Sequence, residues 1–324
     1  MQAPLLVFDA SSSGHRENYV REFARLLGGM PLIGSPLSHF GCLMTTRRLL
    51  LPTFETMPRV YFLVALLRML LVRRTVLFVL RPQLAPGQWI KLATHRLLAA
   101  MPGVRLATIF PIAPDSHLYG RSTLILDLEY WDRAGLPPPA PTHLSDAVLA
   151  AAGGRRIVTA LGCFSEDKGA KMVMDLAERE ELAENFLFVV AGIVHPDLKA
   201  RLAVVPRQAL FVEQRKLSEP ELMSLYTIAD LSWCCYAPER DISSGIFGRS
   251  LQFGVPAILR EGSLLQRQAE GRAHYIAIPW GDSDAAAEQL VNQPECQAHI
   301  KTGTAAAFDP EDEILKLREM LGIA

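Results

Sequence analysis

Cysteine, long apolar runs and net charge are all scarce in this chain. Its 324 residues include five cysteines, at 42, 163, 234, 235 and 296. The number is odd and no pair has Cys-x-x-Cys spacing, which argues against a disulfide or zinc framework and points to a reducing, cytosolic setting. The opening "MQAPLLVF" has no basic n-region and runs straight into a strand-like pattern, so no secretory leader is expected. The most apolar segment, "VYFLVALLRMLLV" (60–72), is 13 residues with Arg68 inside it. A bilayer span takes roughly 20 residues, so no transmembrane helix is expected. Aromatic residues are few beside the arginines, which lie among aliphatic side chains. That pattern lacks the stacking platform of a nucleic-acid surface, and no nucleic-acid partner is expected. Tandem repeats and low-complexity tracts are absent too.

Half of the residues are apolar. That length exceeds one ordinary core and fits two domains of about 150 residues each. The formal net charge of −1 hides an asymmetry. Residues 1–150 carry 15 Lys and Arg against 9 Asp and Glu, and residues 151–324 carry 18 against 25. A basic half commonly meets phosphate, anionic lipid or nucleic acid.

Strand and helix patterns alternate along both halves. "PLLVFDA" (4–10) reads as a strand, "SSSGH" as a tight loop and "RENYVREFARLLGG" as a helix stopped by two glycines. "RRTVLFVLRPQ" (73–83) and "VRLATIFPI" (104–112) read as strands on either side of a helix over 87–103. The proline-rich "AGLPPPAPTH" (134–143) suits a hinge. After it come strands in "RRIVTALG", "NFLFVVAG", "ALFVE", "DLSWCCYA" and "VPAILR", with helices between them. Ser218 and Glu221 form a capping box in "SEPELMSLYTIA", and only helices are expected after "VPAILR". The alternation predicts two doubly wound parallel sheets, with domains at 1–142 and 143–324, facing a cleft.

Segment 47–74 has two readings. It holds Arg47, Arg48, Arg59, Arg68, Arg73 and Arg74 against the single acid Glu55. One reading is a basic, apolar surface on anionic membrane that meets a lipid-linked acceptor. The other is a core helix with solvated arginines at its ends.

Ligands of doubly wound sheets bind outside the carboxyl ends of the strands, so the loops after strands are the candidates. In "ASSSGHRENY", Gly14 lets backbone approach a phosphate or sugar, and His15 is a candidate polar contact or proton acceptor. The same residues also make an ordinary helix cap. In "LGCFSEDKGAKMV" (161–173), Lys168 before a helix suits a diphosphate, or forms a plain Asp-Lys-Gly turn. In "RDISSGIFGRSLQFGVPAIL" (240–259), Ser243, Ser244 and Gly245 open a helix whose free amides suit an anion. Gly254 ends that helix, and Pro256 starts the next strand. Without a ligand, the same stretch is a serine cap and a glycine stop.

These stretches together resemble a GT-B glycosyltransferase, of the family 4 or group 1 type. "LGCFSEDKG", with Gly162, resembles that family's Gly-Arg-x-x-x-x-Lys-Gly. "LFVVAG", "ELMSLYTIADLSWCCY" and "SGIFGRSLQFGVPAIL" resemble its following segments. "SSSGHRENYV" is similar to its first glycine loop. The resemblance implies transfer of a sugar from a nucleotide diphosphate-sugar, without metal or other cofactor and usually with retention, to a polysaccharide or lipid-linked glycan. It implies that Lys168 and the amides around Ser243–Gly245 hold the diphosphate, and that Glu213–Arg215 lie near the base. Some positions depart from the pattern. The basic partner ahead of the lysine falls on Cys163. The two glutamates spaced eight apart fall on Asp241, a candidate catalytic carboxylate, and Arg249; Glu239 is a substitute for the first. The family's first-domain histidine falls near Phe110–Pro111, where there is none. A non-catalytic relative that binds nucleotide or glycan, or partners an active transferase, therefore stands beside the enzyme reading, as does an epimerase of the same architecture. The setting expected is cytoplasmic, at the inner face of the membrane.

Overall fold

The computed structural model describes residues 5–12, 16–82, 84, 87–109, 112, 114–131, 139–292 and 310–323. They fall into two compact units. One lies within 1–128 and 309–324, the other within 129–308.

The first unit alternates strand and helix: β1 (Leu5–Asp9), α1 (Arg16–Leu27), β2 (Met30–Ile33), α2 (Phe40–Thr45), β3 (Arg48–Leu51), α3 (Pro58–Leu70), β4 (Arg74–Val79), α4 (Trp89–Ala100), β5 (Val104–Thr108) and β6 (Ser122–Leu124). Its six strands are parallel, in the order β2-β1-β3-β4-β5-β6. Helix α1 forms where the apolar spacing asks for it. Tyr19, Val20, Phe23, Ala24 and Leu27 make one buried face, with Glu17 in the first turn where a carboxylate favours the helix dipole. The core runs through Leu6, Phe8, Leu49, Leu77 and Leu106 of the sheet to Tyr61 and Val64 of α3.

The second unit follows: α5 (His143–Ala152), β7 (Arg156–Phe164), α6 (Ala170–Ala177), α7 (Glu180–Ala183), β8 (Phe186–Val194), α8 (Lys199–Val204), β9 (Leu210–Glu213), α9 (Glu219–Ile228), β10 (Leu231–Cys234), α10 (Gly245–Gln252), β11 (Ala257–Arg260), α11 (Leu264–Ala269), β12 (Tyr275–Ile278) and α12 (Ser283–Val291). The order is β12-β11-β10-β7-β8-β9, again all parallel. Strands β7 and β8 pair from Arg156↔Phe186 to Phe164↔Val194 and form the spine of the core with Trp233, Ile258 and Leu290. The capping box of α9 is present: Glu221 Oε2 accepts from Ser218 N at 2.9 Å and Oγ at 2.7 Å.

The last helix, α13 (Pro310–Leu321), belongs to the first unit. Arg48 donates from Nε to Leu321 O at 3.0 Å and from Nη2 to Gly322 O at 2.6 Å, satisfying orphan carbonyls at the helix end. Leu126 N donates to Glu313 Oε2 at 2.8 Å. The sequence reading placed the boundary at 142/143 and left this helix in the second domain. The structure divides the chain at 128/129 instead. Much of the proline-rich stretch, residues 132–138, lies outside the described residues.

Four strands escaped the sequence reading: β2, β3, β6 and β12. Three of them are sheet edges of only three or four residues, too short to show a pattern, and β2 carries Pro31, which an edge tolerates. The presence of β12 corrects the expectation of helices alone after β11.

Helix α3 corrects the reading of the arginine-rich segment. Arg68 is not solvated: its exposure is 0%. Its guanidinium donates to Thr75 Oγ1 at 2.9 Å, to Thr46 O at 3.0 Å, to Arg74 O at 2.8 Å and to Leu43 O. Burial, with the charge of Arg73, pulls its pKa down to about 10. Of the six arginines, Arg48 and Arg68 are thus committed to backbone carbonyls. No helix among the described residues is long and apolar enough to cross a membrane.

Candidate functional site

In the second sheet the chain steps outward from β7 to β8 and β9, then returns to place β10 on the other side of β7. The loops after β7 and β10 therefore flank the topological switch point, where doubly wound sheets bind ligands. Both carry residues singled out from sequence.

The β7 loop turns through a 3-10 segment, Glu166–Lys168, and enters α6 at Gly169. Gly169 has φ +78°, and a Cβ there would meet Cys235 O at 2.5 Å and Trp233 Nε1 at 2.8 Å. Only glycine fits both the angle and the space. The two loops are laced together. Trp233 Nε1 donates to Lys168 O at 2.9 Å, Ala237 N to Asp167 O at 2.9 Å, and Arg240 pairs with Asp167 at 2.6 Å. Burial pushes the Asp167 pKa up, but Ser165 and Arg240 outweigh it and the net shift is downward.

This lacing holds Lys168 in place while leaving its ammonium unspent. Nζ lies 5.9 Å from the Tyr236 ring centroid and makes no hydrogen bond or ion pair among the described residues. Burial, then the charge of Arg240, lowers its pKa; Cys163, Cys234 and Asp167 oppose that shift. Gly162 lies beside Lys168, at φ +83°, a left-handed angle that favours glycine; a Cβ there would stand 3.9 Å from Nζ, in ordinary contact.

The β10 loop ends at α10. Ser244 is its N-cap and accepts from Phe247 N at 3.4 Å, while Tyr236 Oη and Ser244 Oγ lie 2.9 Å apart. Ser243 Oγ is 3.3 Å from Tyr130 Oη. Gly254 terminates the helix at φ +65°, with Val255 N donating to Ser250 O at 2.8 Å and Gly254 N to Leu251 O at 3.1 Å, a Schellman motif.

The amino end of α10 has a neighbour that the sequence did not reveal. A Cβ on Gly245 would overlap the Glu129 carboxylate, and one on Gly248 would overlap the Tyr130 ring. Gln252 Nε2 donates to Glu129 O at 2.9 Å, and Tyr130 Oη to Gln268 Oε1 at 3.0 Å. The small residues of this helix are thus required by residues 129–130 lying against it. Glu129 is buried, and its carboxylate sits where the helix dipole favours negative charge. Arg249 is also buried and reaches Gln252 Oε1 at 3.3 Å. Burial raises the pKa of the Tyr226 hydroxyl; Glu129 adds to that shift and Arg249 opposes it. The charge that departs from the family pattern is therefore sunk in the packing of the unit.

The remaining candidates are dispersed. Asp241 Oδ1 accepts from Arg260 Nη2 and Leu264 N, each at 2.8 Å, with Arg267 at 3.6 Å from Oδ2, so its carboxylate ties β11 to α11. Glu239 is exposed in a 3-10 turn, and Cys163 is an exposed thiol. Glu213, the last residue of the edge strand β9, and Arg215, just beyond it, pair at 3.0 Å. They lie two strand spacings, about 10 Å, from β7. Arg215 also grips Glu221 at 2.6 Å, which lowers the Glu221 pKa to about 2 together with the Ser218 hydrogen bonds. Gly14, His15 and Phe110–Pro111 lie outside the described residues. Among the described residues, no three His, Cys, Asp or Glu side chains stand as a metal cluster.

One polar centre was missed from sequence. Asp9, at the carboxyl end of β1, is fully buried and accepts from Thr53 Oγ1 and from Ser11 N at 2.9 Å. Burial raises its pKa against those hydrogen bonds and the charge of Arg16. Its only signal in the sequence is an acid closing the apolar run "PLLVFD".

No protein-family model and no curated protein sequence matches this chain. Solved structures do. Alr3699/HepE of Anabaena, solved in complex with UDP, superposes with a TM-score of 0.68 at 14% identity, covering 98% of this chain and 99% of its own. A glycosyltransferase from Rickettsia africae ESF-5 gives 0.64 at 12%, covering 98% and 95%. WaaG, a glycosyltransferase involved in lipopolysaccharide biosynthesis, gives 0.59 at 12%, covering 98% and 99%. The two six-stranded parallel sheets, each flanked by helices, are those of a two-domain GT-B glycosyltransferase fold.

Proposed function

We propose that the chain is a glycosyltransferase that moves a sugar from a nucleotide diphosphate-sugar to a glycan or lipid-linked acceptor. Lys168 carries this reading: a partly desolvated cation without a partner among the described residues, held by its own loop at the switch point of a doubly wound sheet. In the reaction the bond between the sugar anomeric carbon and the leaving phosphate oxygen breaks. The acceptor hydroxyl oxygen forms the new bond to that carbon, and its proton passes to the departing phosphate oxygen. Negative charge grows on the departing diphosphate, and Lys168 Nζ is the group on this chain that stabilises it. Amides at the start of α6 and the hydroxyls of Ser243 and Ser244 complete the cradle. Glu213 and Arg215 border the base, and Gly162 leaves space for the donor. Asp241 acts as a positioning residue, holding Arg260 and the start of α11. We propose further that transfer needs no metal, retains anomeric configuration and takes place at the cytoplasmic face of a membrane.

Alr3699/HepE, of the same fold and solved in complex with UDP and with UDP-glucose, supports a nucleotide-sugar donor. The test is a thermal-shift panel of UDP, GDP, ADP, TDP and their common sugars, with and without magnesium, on the native chain and on Lys168→Ala. A site occupied at a hundredfold excess over Kd stabilises the fold by about 2.7 kcal/mol. A shift with one diphosphate, independent of magnesium and lost in the variant, is expected. An equal shift in the variant would refute the role of Lys168.

A second reading has its own observation. The Glu129 carboxylate already faces the amino end of α10. In a non-catalytic relative, that acid permanently closes one anion site. The same panel followed by donor hydrolysis separates the two: binding without any sugar release favours the non-catalytic chain.

A further inference from the structure

The first unit contains a cavity of about 640 Å³ beside the carboxyl ends of β3 and β4. Its walls come from the turn after β3, the first turns of α3 and α4, and the residues after β4. The apolar wall is Phe54, Phe62, Trp89 and Ile90. Trp89 and Ile90 are 70% and 61% exposed. Two large apolar side chains left in water at the start of one helix mark a surface made for contact.

The charged wall is Glu55, Arg59, Arg81 and Lys91, three cations to one carboxylate. Arg59 has no hydrogen-bond or ion-pair partner among the described residues. Lys91 Nζ donates to Arg81 O at 2.6 Å. Glu55 Oε1 accepts from Arg81 N at 2.7 Å, but Glu55 Oε2 is buried with no donor among the described residues. A buried carboxylate oxygen without a donor is an unmet demand that a ligand hydroxyl can satisfy. Burial also lowers the Lys91 pKa, helped by Arg81 and opposed by Glu55.

We propose that this cavity seats an amphipathic acceptor, with its apolar chain against Trp89, Ile90 and Phe62, a phosphate-class anion at Arg59 and Lys91, and a hydroxyl donating to Glu55 Oε2. The word acceptor rests on the transferase reading; the binding itself does not. An apolar ligand without charge would leave the cations unused, and a free sugar would leave the aromatic wall wet. A lipid-phosphate-linked saccharide uses all three features.

The test is calorimetric titration of the full chain with decyl phosphate below its micellar concentration, octyl glucoside and inorganic phosphate. Decyl phosphate is expected to bind with a blue shift of the Trp89 emission. Octyl glucoside should bind more weakly, and phosphate alone should give no heat. Arg59→Ser with Lys91→Ser should weaken decyl phosphate at least tenfold, and Trp89→Ala at least fivefold. Glu55→Gln should weaken octyl glucoside selectively. These residues are at least partly exposed, and unchanged melting temperatures will show that the variants fold. No binding of decyl phosphate, or equal binding by all variants, would overturn the proposal. So would phosphate binding as tightly as the amphiphile. Co-sedimentation with phosphatidylglycerol vesicles, without binding of monomeric amphiphile, would assign the surface to the membrane and likewise overturn it. The nucleotide shift of the second unit reports separately, so failure here and failure of the donor reading are distinguishable.

Discussion

Each sheet reverses direction once, between β1 and β3 in the first unit and between β7 and β10 in the second. Each reversal has an ionisable residue in or beside it, the buried Asp9 in the first and the half-buried Lys168 in the second. Burial moves both pKa values toward the neutral form, the acid up and the lysine down. Their partners differ. Asp9 takes hydrogen bonds from Thr53 and Ser11. Nearby, Ala10 N donates to Tyr61 Oη at 2.8 Å. Lys168 Nζ has no such set among the described residues. The same topology thus holds one ion satisfied by the fold and one whose ammonium the described residues leave unpaired.

The largest test of that contrast is Lys168→Ala. It should lower sugar transfer about 100-fold or more, since it removes charge stabilisation at the leaving group. The melting temperature should hardly move. Turnover within a few-fold of the native rate would make Lys168 another fold-holding ion.

Asp9→Ala should do the opposite. It strips the acceptor from Thr53 and Ser11 and should cost about 2 kcal/mol of stability by urea denaturation, whereas Asp9→Asn keeps an acceptor oxygen and should cost less. Equal losses would show that packing volume matters there rather than hydrogen bonding.

Gly169→Ala probes the lacing that positions Lys168. The left-handed backbone and the approach of Cys235 O should make it cost about 1 to 2 kcal/mol. Donor affinity should fall along with stability. If stability falls and affinity does not, the loop is not what presents the lysine.

The smallest effects are in pH dependence, and their signs oppose each other. The folded pKa of Asp9 lies above its unfolded value, so stability falls as pH rises from 3.8 through the folded value. Glu221, lowered from 4.5 to about 2, adds stability that is present above 4.5 and lost as pH falls toward 2. Urea midpoints across pH 2–6 should lose the first slope in Asp9→Asn and the second in Glu221→Gln. The slope persisting in either variant would assign it to another group.

Motifs legible from neighbouring residues held up in the structure. The face of α1, the capping box of α9 and the Gly254 stop each depend on a few adjacent side chains and on backbone angles that local chemistry sets. What depended on distant partners was not legible. Arg68 looked solvated because nothing in "VYFLVALLRMLLV" reveals the carbonyls of Leu43, Thr46 and Arg74 waiting for it. Ser243–Gly245 looked like an open anion site because Glu129 lies more than a hundred residues away in the chain. Asp241 and Arg249 looked like altered catalytic positions, but their charges are spent on Arg260 and on the packing around α10.

By itself, then, the amino-acid pattern determined two parallel α/β sheets and the loops that follow their strands, with Lys168 as one candidate among several. Hydrophobic period, glycine and proline act over a few residues, so they can be read in one dimension. Only the tertiary structure decided where the chain divides, that the last helix returns to the first unit, and which charges are already paired. Pairing and burial join residues far apart in sequence, and a charge is available for chemistry only when no such partner has claimed it.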